Sequence, residues 1–304
     1  MSNHNETSPA TASIRTMLVR LGSIDRRWIY LSMALAVAVP MLAGLSFPET
    51  PQPMAQATFR AIDAVPKGSR VLISFDYDPG SEGELQPMAN ALIHHCAVRG
   101  HKMAFMALWP LGKQVCDATI DDILLTYHPQ YRYGDDYVQL GYMPGFESVI
   151  KGLTSNLASQ YPLDARGTPV GSIPMLRDVK TLQDFDMVIT ISAGYAGAKE
   201  WVQYAKSSYR DAYVLIAGST GVQANQLFPY YPQQLEGLLA AVKGAAEYEM
   251  LVSEAYPPPT KPERLESGRR RMGPQLVAHL LMVLLIVLGN ASMFAARGSR
   301  GGRR

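Results

Sequence analysis

The stretch VLISFDYDPGSEGEL, residues 71–85, ends an apolar run in two aspartates and follows them with two glutamates. Carboxylate oxygens are the ligands that hard cations such as Mg²⁺ prefer, so Asp76, Asp78 and Glu82 are candidate metal ligands. The competing interpretation is structural, because acidic residues in the first turn of a helix offset its dipole and a Pro-Gly pair favours a turn. The pattern favours the structural interpretation, and the metal site is the alternative.

Three histidines and a cysteine lie at the end of the helical pattern that follows, in the segment IHHCAVRGH. A metal site would need the imidazoles on one face, but adjacent helical residues point about 100° apart. A glycine ends the helix before the third histidine. The sequence therefore predicts that His94, His95 and His101 are exposed near a helix end. Cys96 and Cys116 fall on apolar stripes, so we expect two buried free thiols.

Aromatic and acidic residues are concentrated in YRYGDDYVQLGYMPG, residues 131–145. Such stretches line carbohydrate and peptide pockets, because flat rings stack on ligands and carboxylates accept hydroxyl protons. Asp135, Asp136 and Tyr142 are the candidate ligand-binding residues of this stretch. The alternative, which the pattern favours, is an aromatic-rich edge of a sheet.

Five apolar, β-forming runs alternate with helical patterns between residues 50 and 256. Continuous apolar runs are typical of strands buried on both faces. The predicted strands are residues 71–77, 103–108, 137–142, 187–192 and 213–218. The predicted helices are residues 81–99, residues 112–127, KEWVQYAKSSY and GLLAAVKGAAEYEMLVSEA. This alternation predicts a three-layer α/β domain with a doubly wound, mostly parallel sheet.

Open parallel sheets bind ligands outside the carboxyl ends of their strands. The candidate ligand-binding residues at these ends are Asp76, Asp78, Trp109, Tyr142, Ser192, Gly194 and Ser219. Asp135 and Asp136 join them as candidates from the aromatic stretch. The first strand is not followed by Gly-x-Gly-x-x-Gly, and no Lys-Ser/Thr pair follows the later glycine-rich turns. The dinucleotide and P-loop fingerprints are thus both absent.

Two long runs without charged residues flank the domain. The first, WIYLSMALAVAVPMLAGLSF, begins at Trp28, and the second, LVAHLLMVLLIVLGNASMFAA, begins at Leu276. About 20 apolar residues cross the hydrocarbon core of a bilayer. The first run is longer than the apolar part of a secretory signal peptide, which is about 7–15 residues. We therefore predict two transmembrane helices, residues 28–48 and 275–296.

Two spans leave the tails, residues 1–27 and 297–304, on one side of the membrane. The domain and its Pro- and Arg-rich linker, residues 257–274, lie on the other side. Arg26 and Arg27 directly precede the first span, and basic residues favour the cytoplasmic side. We expect cytoplasmic termini and an extracytoplasmic domain in the inner membrane of a bacterial cell. The net charge of +2 indicates no nucleic-acid partner.

The chain resembles a family of bacterial two-span membrane proteins with an α/β loop domain in several segments: SFDYDPGSEGELQPM, YGDDYVQLGYMPG, DFDMVITISAG, YYPQQLEGLLAAVKGAAEYE and AHLLMVLLIVLGN. The resemblance covers nearly the whole chain, and the order of the motifs is specific. The family has no assigned activity or catalytic residues. The resemblance therefore implies the two-span architecture and adds no chemistry.

These patterns predict a membrane-anchored α/β domain that binds a ligand or a protein partner without catalysis. The alternative is a metal-dependent hydrolase or phosphotransferase with the acidic loop, residues 76–84, as its metal site and Mg²⁺ as its cation. A third interpretation is a structural subunit of a larger membrane assembly. No substrate follows from the sequence.

Overall fold

The computed structural model describes residues 17, 20, 22, 24–45, 50–207, 209, 211–258 and 262–300 of the 304-residue chain. These residues divide into two compact units, one from the two ends of the chain and one from the region between them. The larger unit comprises residues 48–269. The predicted tails fall largely outside the described residues.

The larger unit is built on a sheet of six parallel strands. In chain order they are β1 Arg70–Asp76, β2 Lys102–Ala107, β3 Tyr137–Tyr142, β4 Met187–Ser192, β5 Val214–Ser219 and β6 Gly237–Ala240. Their order across the sheet is β3-β2-β1-β4-β5-β6, and every pair is parallel. The direction of winding reverses between β1 and β4, and ligands of open parallel sheets bind at such a switch point.

The first five strands form where the sequence predicts them, within one residue at each end, because each is an apolar run that the sheet buries on both faces. The sixth strand was not predicted. The sequence predicts GLLA as the start of a helix, and this prediction is wrong because these residues form β6. Gly237 allows close packing there, because a Cβ atom would lie 2.7 Å from Thr58 Oγ1. Ala241, at a φ of 56°, then turns the chain into the helix.

Ten α-helices occur in the described part of the chain. They are α1 Arg26–Leu42, α2 Pro53–Ala64, α3 Glu82–Val98, α4 Gly112–Thr119, α5 Glu147–Ser155, α6 Leu157–Gln160, α7 Ala198–Trp201, α8 Gly221–Leu227, α9 Ala241–Ala255 and α10 Ser267–Arg300. Two of them, α4 and α7, continue as π-helical segments, Ile120–Leu125 and Val202–Lys206. The sequence pattern predicts α3, α4, α7 and α9 but does not predict α2, α5, α6 and α8.

Helices cover both faces of the sheet, and each face has its own apolar core. Phe75 and Ile191 belong to the core that β1 and β4 share with α2, α3, α4 and α9. Leu72 and Val188 point to the other face, where α5, α6 and α7 complete the second core. Successive residues of a strand alternate between the faces, so one strand serves both cores. The predicted α/β architecture is confirmed, with an entirely parallel sheet.

The histidines near the end of α3 are buried, so the prediction that they are exposed is wrong. His95 Nδ1 lies 2.7 Å from the Tyr248 hydroxyl on α9, and His95 Nε2 lies 3.7 Å from Asp63 on α2. His94 Nδ1 lies 2.9 Å from His128 Nε2. Side chains from distant parts of the chain thus cover the end of α3. The two cysteines are buried free thiols, as predicted.

The smaller unit contains α1 and most of α10. Residues Ser267–Ala296 of α10 contain an 18-residue window with a mean hydropathy of 2.2 and are long and apolar enough to cross a membrane. Among the described residues, α10 is the one helix with this length and composition. The predicted first span coincides with α1 over residues 28–42, and its end lies partly outside the described residues. Gly44, at a φ of 61°, follows the end of this 17-residue helix.

The predicted linker, residues 257–274, is partly helical, because α10 begins at Ser267. Glu249 on α9 accepts hydrogen bonds from the backbone N–H groups of Gly268 at 3.0 Å and Arg269 at 2.9 Å. These are the free N–H groups of the first helical turn, and a carboxylate stabilises them. Within residues 257–274, Gly268 and Arg269 are thus held by hydrogen bonds to α9.

Candidate ligand-binding site

Three polar residues end the central strands of the sheet. Asp76 on β1 is in register with Ser192 on β4, and Ser192 is in register with Ser219 on β5. Residues in register on parallel strands point to the same face. All three are buried. The sequence indicates each of these residues separately as the end of a strand, and the sheet places them in one row at the switch point.

Asp76 is a carboxyl group enclosed at the carboxyl end of β1. Its Oδ1 accepts a hydrogen bond from the backbone N–H of Leu108 at 2.8 Å. The Ser74 hydroxyl lies 2.8 and 2.7 Å from its two oxygens. Burial raises the pKa of Asp76 to about 7, although both hydrogen bonds act to lower it. The carboxyl group therefore exchanges its proton near neutral pH.

Three more buried polar atoms surround this carboxyl group without a hydrogen-bond partner among the described residues: Thr190 Oγ1, Tyr161 Oη and Trp201 Nε1. Thr190 lies across from Ser74 in the β1–β4 register. Trp201 and Thr190 lie close enough to lower the pKa of Asp76, but outside hydrogen-bond geometry. Burial raises the pKa of Tyr161, and the charge of Asp76 adds to this effect. The base of the switch point is thus polar in an otherwise apolar core.

The loop after β4 curls around Ser192. The Ser192 hydroxyl accepts a hydrogen bond from Ala198 N at 3.0 Å and donates one to Gln223 Oε1 at 2.9 Å. Gln223 Nε2 donates in turn to the carbonyl oxygen of Gly194 at 3.1 Å. A Cβ atom at Gly197 would lie 2.5 Å from both Gly194 O and Ser192 Cβ, so only glycine fits there. The loop is therefore held tightly against α8.

Two other loops cross above β1 to reach the loop after β4. Trp109, which follows β2, donates its indole N–H to the carbonyl oxygen of Ala196 at 3.0 Å. Phe146, which follows β3, has its ring centroid 5.7 Å from that of Tyr195. The Tyr195 hydroxyl also donates to the carboxylate of Glu147. Because β1 lies between β2 and β4, these contacts form a roof over Asp76.

A cleft of about 270 Å³ opens beside this roof, between the loop after β4 and α8. Its lining includes Gly194, Tyr195, Lys199, Val222 and Gln226. Tyr195 is 59% exposed and Val222 is 84% exposed, so both side chains present apolar surface to solvent. The cleft thus offers solvent an aromatic ring beside amide and ammonium groups.

The acidic loop serves structural contacts. Glu84 accepts a hydrogen bond from Gly221 N at 2.8 Å and thereby caps the start of α8. Asp78 Oδ1 accepts from the Ser81 hydroxyl at 3.4 Å. Asp76 is directed at Ser74 and Leu108 rather than at this loop. In the part of the chain that the structure describes, no group of three or more His, Cys, Asp or Glu side chains is placed to hold a metal ion.

Asp135 and Asp136 do not belong to this site. They precede β3 and so lie at the amino edge of the sheet, opposite the switch point. Arg132 Nη2 lies 3.5 Å from Asp135, and Arg132 Nε lies 3.5 Å from Asp136. Tyr142 ends β3 at the carboxyl edge of the sheet, where the candidate site lies. It is half-buried and packs against the first core. The tyrosine-rich stretch is therefore split between the two edges of the sheet.

Five residues of the site are not predicted from the sequence: Thr190, Tyr161, Trp201, Tyr195 and Gln223. A signal exists for the first, since Ser-x-Asp ends β1 and Thr-x-Ser ends β4, with polar residues alternating in apolar strands. The others come from loops and helices whose position depends on the tertiary structure. Comparison of this chain with protein-family models, with curated proteins and with solved structures gives no match.

Proposed function

We propose that this protein is a membrane-anchored α/β domain that binds, without catalysis, a small uncharged ligand with hydroxyl groups, such as a sugar or polyol. The exposed ring of Tyr195 in a cleft of about 270 Å³ is the observation that carries this proposal. Aromatic faces stack on the C–H face of such ligands, and neighbouring amides hydrogen-bond to their hydroxyl groups. The cleft volume supports a ligand of about one sugar ring, near the lower end of known sites.

The charges around the cleft support an uncharged ligand. The lining contains one ammonium group, that of Lys199, and one carboxylate, that of Glu200. The carboxylate of Glu200 is engaged by Gly197 N at 2.9 Å. Neither positive nor negative charge is in excess in this cleft, whereas sites for phosphates or organic cations concentrate charges of one sign.

We also propose that two spans, residues 28–48 and 275–296, anchor the domain in a bacterial inner membrane, with both termini in the cytoplasm. The length and hydropathy of α10 support the second span. The exposed apolar side chains of α1, among them Leu35 and Leu42, support the first. An alkaline phosphatase inserted near Pro257 should be active, and an inactive fusion would reverse this orientation.

Isothermal titration of the full-length protein in detergent with glucose, maltose and glycerol tests the ligand class. We expect binding to at least one of them, about tenfold weaker or lost in Tyr195→Ala, since a stacking ring is removed. Tyr195→Phe keeps the ring and should retain binding. Leu163→Ala, at an exposed residue outside the cleft lining, is the matched control.

Two outcomes would overturn this proposal. Absence of heat with all three probes would exclude small uncharged ligands with hydroxyl groups. Heat with Mg²⁺, Mn²⁺ or Ca²⁺ that disappears in Asp78→Asn would favour the metal-dependent enzyme instead. Stoichiometric co-purification of another membrane protein would favour a subunit of an assembly with protein partners.

A further inference from the structure

The amino edge of the sheet carries a second cleft, of about 410 Å³, opposite the switch point. Its lining includes Lys67, Lys102, Arg132, His101 and Asp136. The proposed sugar site uses none of these residues. The lining thus combines three permanent cations, one carboxylate and one imidazole.

The positive charge in this cleft exceeds the negative charge. Asp136, the carboxylate in the lining, accepts a hydrogen bond from Arg132 N at 3.0 Å and contacts Arg132 Nε at 3.5 Å. The ammonium groups of Lys67 and Lys102 form no ion pair or hydrogen bond with any described residue. An anion could therefore bind both ammonium groups without displacing a partner.

The fold holds the two lysines in neighbouring positions. Lys102 is the first residue of β2, and its backbone N–H donates to Ser69 O at 2.8 Å. The Lys67 side chain lies across Gly100, where a Cβ atom would be 3.0 Å from Lys67 Cε. Gly100 also has a φ of 73°, a conformation that favours glycine. The turn that ends α3 thus leaves room for the Lys67 side chain beside β2.

His101 supplies an independent sign of a ligand. His101 shares the cleft lining with the two lysines, its ring is fully buried, and neither ring nitrogen has a hydrogen-bond partner among the described residues. The carbonyl oxygens of Ile62 and Pro66 lie near the ring, outside hydrogen-bond geometry. Buried polar groups are normally satisfied, so an unpartnered imidazole in a cleft lining indicates a group that binds there.

We propose that this cleft binds a phosphate-bearing anion, with Lys67 and Lys102 on the phosphate, Arg132 at the rim and His101 on the floor. Ammonium and guanidinium groups form strong charge-assisted hydrogen bonds to phosphate oxygens. The phosphate can come from a soluble phosphate monoester or from the head group of an anionic phospholipid, and the chemistry of recognition is the same.

Titration of the full-length protein in detergent with inorganic phosphate and glycerol 3-phosphate tests the soluble source. Native mass spectrometry after reconstitution in phosphatidylcholine, with and without phosphatidylglycerol, tests the lipid source. We expect retention of at least one phosphate ligand, weakened about tenfold or more in Lys67→Gln/Lys102→Gln, which removes both ammonium groups. Lys113→Gln/Lys180→Gln makes the same change in net charge elsewhere and should leave binding unchanged.

Gly100→Ala provides a variant that keeps every charge. The added methyl group should displace the Lys67 side chain and weaken phosphate binding, while sugar binding at the other edge is unaffected. Two results would overturn the proposal: no phosphate ligand retained from either source, or equal weakening by the two double-lysine variants, which would indicate a general charge effect.

Discussion

The backbone N–H of Leu108 donates a hydrogen bond across 2.8 Å to the buried carboxyl group of Asp76. Leu108 directly follows β2 and Asp76 ends β1, so this bond joins the ends of two neighbouring strands beneath the roof of loops. The position explains two properties at once. The carboxyl group is satisfied by protein donors, and it is removed from water, which raises its pKa to about 7.

Asp76→Asn should change how stability depends on pH. The folded protein holds the Asp76 proton up to about pH 7, whereas the ordinary pKa of an aspartate in an unfolded chain is 3.8. Binding of this proton therefore stabilises the folded state by on the order of 4 kcal/mol in total. The stabilisation is complete below about pH 4 and is lost as pH rises towards 7. In thermal unfolding of the full-length protein, the Tm of the wild type minus the Tm of Asp76→Asn should therefore fall as pH rises over this range.

The asparagine retains an oxygen that can accept from Leu108 N, so the fold should survive the substitution. Asp78→Asn, in the loop that follows β1, is the matched control and should keep the wild-type slope. An Asp76→Asn protein with an unchanged slope would show that another group is responsible.

The buried histidines should act in the opposite direction. Burial lowers the pKa of His95 to about 3 and that of His128 to about 4, from an ordinary 6.5. Between these values the unfolded chain binds protons that the folded chain does not. The contribution of these neutral histidines to the free energy of unfolding is therefore complete above about pH 6.5 and is lost as pH falls. In an Asp76→Asn background, the Tm should fall between about pH 6.5 and about pH 4.

His95→Gln tests the origin of this acid sensitivity. Glutamine can still reach the Tyr248 hydroxyl, which lies 2.7 Å from His95 Nδ1, but it does not titrate. The loss of the stacked contact with Phe59, at 4.6 Å between centroids, should cost about 1 kcal/mol at neutral pH. In His95→Gln, the fall in Tm between about pH 6.5 and about pH 4 should be smaller than in the parent. A dependence equal to that of the parent would contradict the assignment to His95.

Gly197→Ala should disrupt the candidate site. The new methyl group would lie 2.5 Å from Gly194 O and Ser192 Cβ, so the loop must move. We expect a loss of about 3 kcal/mol in stability and loss of sugar binding. Gly171→Ala is the control, because nothing lies within 4 Å of the added atom. Calorimetric unfolding should separate the two variants, and equal Tm values would contradict the packing of this loop.

Either apolar segment should be enough to attach the chain to the membrane. After alkaline carbonate extraction, the full-length chain should remain with the vesicles, because α10 is long and apolar enough to span them. A chain that ends at residue 266 should also remain there if residues 28–48 form the first span. Release of the shortened chain would limit the anchor to α10, and release of the full-length chain would remove the membrane anchor altogether.

The sequence alone predicts most of the sheet and the edge at which the candidate site lies. Apolar runs of six or seven residues mark strands buried on both faces, and five of the six strands follow from this pattern. It does not predict β6, since the apolar run GLLA continues into α9 without a polar break. The positions of Asp76 and Ser192 at strand ends are likewise readable from the order of the residues.

Burial and partners were decided by the tertiary structure. The histidines at the end of α3 are enclosed by α2 and α9, which lie far away in the chain. Asp76 is enclosed because loops after β2 and β3 cross β1 to reach Ala196 and Tyr195. Periodicity indicates which residues face a core, but the environment of a polar group depends on segments that only folding brings together. For that reason the sequence identified the acidic residues, and the fold alone decided which of them was buried at the switch point and which stayed at the surface.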